Sequence, residues 1–290
     1  MTKFSGIYPA LITPFTSNGK INAKAMEQII HINLEKGVSG FYVGGSTAEA
    51  FLLSPEERKT VLEIAMKAAG DKVQIIANIG MLSTEQGIDL AKHADKLGVS
   101  AISSVPPFYY QYTIHEYYKY YVDISNTVSV PMLIYNVPAM SKVNFSEEDF
   151  VTFFKSRKII GVKYTSYDLF LAQKLISRFP KKILFIGHDE IFLSAIAAGA
   201  KAAIGSTMCF MAEKFIQIRN CFNNHDMKNA LKIQDEVNKI IAVLIKIGVF
   251  KGVKAALELQ GIPCGQCRKP FQPLNSQELQ ELKEVLDLYK

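Results

Sequence analysis

Eight short apolar runs recur along the chain: IYPALI (7–12), GFYVGG (40–45), VQIIANIG (73–80), SAISSV (100–105), PMLIYNV (131–137), IIGVK (159–163), ILFIG (183–187) and AAIGS (202–206). Short continuous runs rich in branched residues predict strands buried on both faces, as in a parallel sheet. Their starts lie roughly 20 to 35 residues apart, the length of a strand plus a crossover helix. The intervals carry helix signals: residues 22–37 close on Gly37, residues 54–70 open with Ser54 as N-cap and Pro55 in the first turn, and residues 83–98 close on Gly98. Eight such units predict an α/β fold, a closed (β/α)8 TIM barrel, with a doubly wound open sheet as the alternative. No G-x-G-x-x-G follows a strand, which weakens the dinucleotide-binding form of that alternative. Beyond residue 206 the pattern is helical to the end. The expected organisation is one domain over 1–290, roughly 1–223 as barrel and 224–290 as a C-terminal helical extension.

Composition narrows the function. The chain has 290 residues, 49% of them hydrophobic, enough to bury a large core. Its net charge of +6 comes from lysines spread along the sequence, so no basic cluster predicts nucleic-acid binding. No uninterrupted apolar stretch reaches membrane length, and the first residues carry no sustained apolar segment before their prolines, so the expectation is a soluble, cytoplasmic protein without a membrane partner. Four cysteines are too few for a disulfide scaffold. Cys264 and Cys267 form C-G-Q-C, but no second such pair or histidine pair completes a zinc set, and structural thiols are expected.

The stretch IIGVKYTS (159–166) ends an apolar run on Lys163. One reading is a lysine snorkelling to water from the sheet; the other is a desolvated amine that attacks carbonyls. Barrel enzymes build their sites at the C-terminal ends of the strands. There this chain places GGSTAE after the second strand, Tyr135 on the fifth, KYT on the sixth, GHDE after the seventh and GST after the eighth. Singly, each has a structural explanation: Ser46 and Thr47 as helix caps, Tyr135 as a core aromatic, Asp189 and Glu190 as favourable charge at a helix start. Their joint presence at strand ends beside a lysine favours a site. A histidine and carboxylate cluster for a metal is lacking, His188 alone being a surface or substrate contact, and no G-x-S-x-G elbow occurs. Covalent lysine catalysis with a proton-moving phenol remains, needing no cofactor.

The motifs PALITPF (9–15), GGSTAEAF (44–51), PPFYY (106–110), YNVPAMS (135–141), GVKYTS (161–166), GHDEIF (187–192), IGST (204–207) and CRKPF (267–271) run nearly end to end in order. With them the chain resembles the N-acetylneuraminate lyase and dihydrodipicolinate synthase family of class I aldolases, within it the lyase subgroup. The resemblance implies that Lys163 forms a Schiff base with a keto carbon and that Tyr135 exchanges protons beside it. It implies that Ser46 and Thr47 hold the keto acid's carboxylate, and that Thr165, Gly187, Asp189, Glu190 and Ser206 contact a sugar-acid tail. Tyr109 is similar to the family tyrosine that reaches across a dimer interface as a proton relay, in homotetramers made of two dimers.

Two positions discriminate within that family. Relatives that condense pyruvate with aspartate semialdehyde carry an arginine where this chain has Met140, and the acidic pair Asp189–Glu190 suits a polyol tail better than a second carboxylate. The implied reaction is reversible cleavage of N-acetylneuraminate, a sialic acid, to N-acetylmannosamine and pyruvate. A sister aldolase for another 2-keto-3-deoxy sugar acid and a non-catalytic keto-acid sensor remain as alternatives. One departure stands out: Ala48 replaces the usual glycine, and negative φ with the methyl turned away from the keto acid is expected there.

Overall fold

The computed structural model describes residues 4–289. The order is β1 (Gly6–Pro9), α1 (Ala23–Glu35), β2 (Gly40–Val43), α2 (Pro55–Ala69), β3 (Gln74–Asn78), α3 (Thr84–Lys96), β4 (Ala101–Ser104), α4 (Ile114–Asn126), β5 (Met132–Asn136), α5 (Pro138–Ser141) and α6 (Glu147–Phe153). There follow β6 (Ile159–Tyr164), α7 (Leu169–Arg178), β7 (Ile183–Ile186), α8 (Phe192–Ala197), β8 (Ala202–Gly205), α9 (Met208–Asn223), α10 (Met227–Ile247), α11 (Val249–Leu259) and α12 (Ser276–Leu288). Each of the eight apolar runs overlaps one strand. The strands lie in the order β1-β8-β7-β6-β5-β4-β3-β2. Ala10, just past β1, bridges in parallel to Tyr42 of β2, so the first and last strands of that order meet and the sheet closes as a (β/α)8 barrel.

Local chemistry sets the helix limits as expected. Ser54 caps α2 in a reciprocal capping box with Glu57, and Pro55 opens its first turn. Ser83 caps α3, and Gly37 and Gly98 take positive φ just after α1 and α3.

Two compact units describe the chain, residues 4–6 with 74–204 and residues 7–73 with 205–289. In the first, Tyr121, Phe145, Phe150 and Phe153 pack edge to face beneath α4 and α6, the geometry aromatic quadrupoles prefer. In the second, the buried Asn33 side chain of α1 donates to the carbonyls of Ile29 and Cys209, satisfying polar groups in an apolar interior.

One irregularity in the first unit matters for the chemistry. The β5–β6 register runs Met132 opposite Ile159, then Leu133 opposite Gly161, so Ile160 is an extra residue in β6. The shift sets Tyr135 opposite Lys163; unshifted, it would face Val162, whose side chain points to the other face of the sheet. The same ladder explains Gly161. A Cβ there would lie 2.0 Å from the Ile183 carbonyl oxygen of β7, so only glycine lets the bulged strand lie this close. Gly161→Ala should destabilise the protein by about 1–3 kcal/mol or more through this overpacking. A thermal midpoint unchanged by the substitution would contradict that placement.

Candidate active site

Lys163 sits at the C-terminal end of β6 and is only 4% exposed. Its ammonium lies 3.9 Å from the centre of the Tyr135 ring, and Tyr135 is itself buried. Burial pushes the lysine below its ordinary value; Tyr135 and the charge of Asp189 pull the other way, but desolvation is the larger effect. Desolvation thus favours the neutral amine over the ammonium, and the neutral amine is the form that adds to a carbonyl. Strand alternation sends the neighbouring Tyr164 to the opposite face, where its hydroxyl donates to the Asp168 carbonyl and burial pushes it up to about 12. The phenol beside the amine is therefore Tyr135.

The loops after β6 and β7 surround this pair. Asp189 is buried, and its charge acts on Lys163. Thr165 and Gly187 belong together, since a Cβ at 187 would lie 1.9 Å from Thr165 Oγ1. That hydroxyl is buried and has no hydrogen-bond partner among the described residues, and neither has Asn136 Oδ1 at the end of β5. Such atoms carry a desolvation cost unless a ligand or water meets them. Glu190 is differently placed from Asp189: its Oε1 accepts from the Tyr167 hydroxyl and lies 3.2 Å from His188 Nδ1, while the Tyr167 and His188 rings stack at 4.1 Å. Burial acts to raise Glu190, but hydrogen bonds from His188 and Tyr167 outweigh it and hold the carboxyl at about 2. Tyr167, bonded to that carboxylate, is pushed up to about 12.

Sequence reasoning passed over Tyr167 and Asn136 and left His188 as an isolated contact. The available signal was position alone: each ends or follows a strand whose end already carried a candidate. Tyr109 lies in the loop after β4, 73% exposed, its ring edge-on to Tyr110. Met140, on α5, is also exposed.

In the second unit, Thr47 Oγ1 and Ser206 Oγ are 2.7 Å apart, each able to donate. Ser46, Thr47 and Ala48 form one 3-10 turn after β2. Ala48 is buried inside that turn and is not among the residues of positive φ; the left-handed conformation falls on its neighbour Glu49, at φ 58°. The Ala48 carbonyl accepts from the buried Thr13 hydroxyl at 2.8 Å.

Residues 3–288 match the sequence profile of the dihydrodipicolinate synthetase family. The chain belongs to that family. Among its members, the N-acetylneuraminate lyase of Fusobacterium nucleatum is 38% identical over 281 residues, covering 97% of each chain. The crystal structure of CdNal from Clostridium difficile in complex with mannosamine superposes with a TM-score of 0.96 at 36% identity, covering 99% of both chains. The Fusobacterium nucleatum lyase complexed with pyruvate gives a TM-score of 0.94 at 37% identity, covering 99% of this chain and 98% of that one. No helix of the described residues is long and apolar enough to cross a membrane.

A family member that keeps a lysine desolvated accepts a stability cost of definite sign. Because burial lowers Lys163, the unfolded chain binds more protons than the folded one between that lowered value and about 10.4. The lysine therefore costs stability at neutral pH, and the cost disappears as pH rises through that window. Lys163→Met should melt above the natural protein at neutral pH, with the gap closing as pH approaches about 10.4. A gap that is absent at neutrality, or that widens with pH, contradicts the desolvation.

Proposed function

We propose that this enzyme is a carbon–carbon lyase that cleaves N-acetylneuraminate reversibly to N-acetylmannosamine and pyruvate. The observation that carries the reading is a desolvated lysine aligned with a buried tyrosine on adjacent strands, in a chain whose relatives bear the lyase name. The solved relatives that hold mannosamine and pyruvate support the two product classes.

In this mechanism the neutral amine of Lys163 adds to the keto carbon, C2, of the open-chain sugar acid, and water leaves to give an iminium. Tyr135, acting through the substrate carboxylate, removes the proton of the C4 hydroxyl. The C3–C4 bond breaks, C4 leaves as the aldehyde of N-acetylmannosamine, and its electron pair passes to the iminium, giving an enamine. Protonation at C3 and hydrolysis then release pyruvate and the free amine. Ser46 and Thr47 hold the carboxylate; Thr165, Gly187, Asp189, Glu190 and Ser206 take the polyol tail. The unpartnered Thr165 hydroxyl supports that role, as does the fixed Glu190 carboxylate. Met140 offers no charge for a second carboxylate, which separates this reading from condensation with aspartate semialdehyde.

The same reading makes the enzyme a cytoplasmic homotetramer, with Tyr109 reaching a neighbouring subunit as a proton relay. The exposure of Tyr109 supports this, and a sedimentation mass of four chains is the expected result. A coupled assay should show turnover of N-acetylneuraminate and negligible condensation of pyruvate with aspartate semialdehyde. Tyr135→Phe should lower kcat by roughly 10²- to 10⁴-fold, the scale of a positioned acid–base group. A kcat close to that of the natural enzyme would assign the proton transfer elsewhere, and efficient condensation would overturn the substrate.

A further inference from the structure

Glu49 is an uncommon residue in an uncommon place. It links two 3-10 turns, Ser46–Ala48 and Ala50–Leu52, and holds φ 58°, ψ 37°, a conformation that costs a side-chain-bearing residue roughly 1–2 kcal/mol relative to glycine. Its carboxylate is fully buried. Lys254 Nζ of α11, also buried, lies 2.6 Å from Oε1, and the backbone N–H of Arg268 donates to Oε2 at 2.7 Å. Lys254 stands 4.2 Å from the centre of the Phe15 ring and donates to the Gln266 carbonyl. The Arg268 guanidinium completes the clamp from outside, donating to the Leu52 carbonyl at the end of the second turn and pairing with both oxygens of Glu57.

Stability does not explain this arrangement. Desolvating two opposite charges costs several kcal/mol each, the attraction returns about as much, and an apolar pair of similar volume would serve a fold equally well. What an apolar pair cannot do is fix direction. A carboxylate that takes a hydrogen bond on one oxygen and an ammonium on the other admits one rotamer and one backbone orientation at residue 49. That residue is joined by two peptide bonds to Thr47, and its N–H donates to the Ser46 carbonyl at 3.0 Å.

We propose that Glu49, Lys254 and the Arg268 backbone form a positioning device that orients the Ser46–Thr47 hydroxyls for the keto-acid carboxylate. The proposal rests on the carboxylate role of those two residues given above. It makes α11 and the 264–268 segment determinants of keto-acid affinity, although neither supplies a group to the reacting atoms. Backbone strain is tolerated where surrounding contacts over-determine it, and here the over-determining contacts come from the far end of the sequence.

The test separates positioning from structure. Lys254→Met alone leaves a buried carboxylate facing no cation and should fold poorly. Glu49→Gln combined with Lys254→Met removes both charges and should melt within a few degrees of the natural enzyme. In the double variant, KM for N-acetylneuraminate and the inhibition constant for pyruvate should each rise about tenfold or more, with kcat within about threefold, the signature of lost uniform binding. If the double variant does not fold, Lys254→Arg, which keeps a cation against the Glu49 carboxylate but changes its reach and direction, carries the same two measurements. A folded variant with unchanged pyruvate inhibition overturns the proposal. A natural enzyme that neither turns over the sugar acid nor is inhibited by pyruvate overturns the functional reading instead, whatever the variants do.

Discussion

The unfavourable solvation of one ammonium group organises this protein. Lys163 is buried beside a phenol ring, and that burial favours its neutral amine over the ammonium. Everything around it serves that condition. An extra residue at Ile160 brings the lysine onto the face of Tyr135, and Gly161 lets the bulged strand lie against β7. A single methyl group at 161 would not fit against the Ile183 carbonyl of that strand.

Two buried lysines show opposite solutions to the same problem. Lys254 has a carboxylate at 2.6 Å and stays within a fixed ion pair, which suits a positional role. Lys163 meets an aromatic ring and the charge of Asp189, together too little to offset desolvation, and this suits a nucleophile. The carboxylates divide in the same way. Glu190 is bound by Tyr167 and His188 and kept ionised, and Glu49 is clamped in a strained turn. Burial pushes the thiols of the buried Cys264 and the half-buried Cys267 up to about 12, so neither is an available nucleophile at neutral pH.

The barrel was legible because its signal is repeated: eight buried strands of one length class, separated by helices with clear caps, leave few topologies open. Helix limits followed from side chains that act on their own backbone, as Ser54 and Ser83 do. Position at strand ends brought Lys163, Tyr135 and Asp189 into view, because barrel geometry converts sequence position into location. The bulge at Ile160 was not legible, since an extra residue in an apolar run leaves its composition unchanged. The Tyr167–His188–Glu190 cluster and the Glu49–Lys254 pair were hidden for another reason. Both join segments that only tertiary structure brings together, and a buried lysine on an amphipathic helix reads as a solvated one.

The central claim is that the Lys163 amine is the electrophile-seeking group of this fold. Borohydride reduction in the presence of pyruvate, followed by peptide mass mapping, tests it directly. One reduced pyruvyl adduct per chain on the peptide containing Lys163, with loss of activity in proportion, is the predicted result. An adduct on another lysine, or no adduct while the enzyme continues to turn over its substrate, would contradict it.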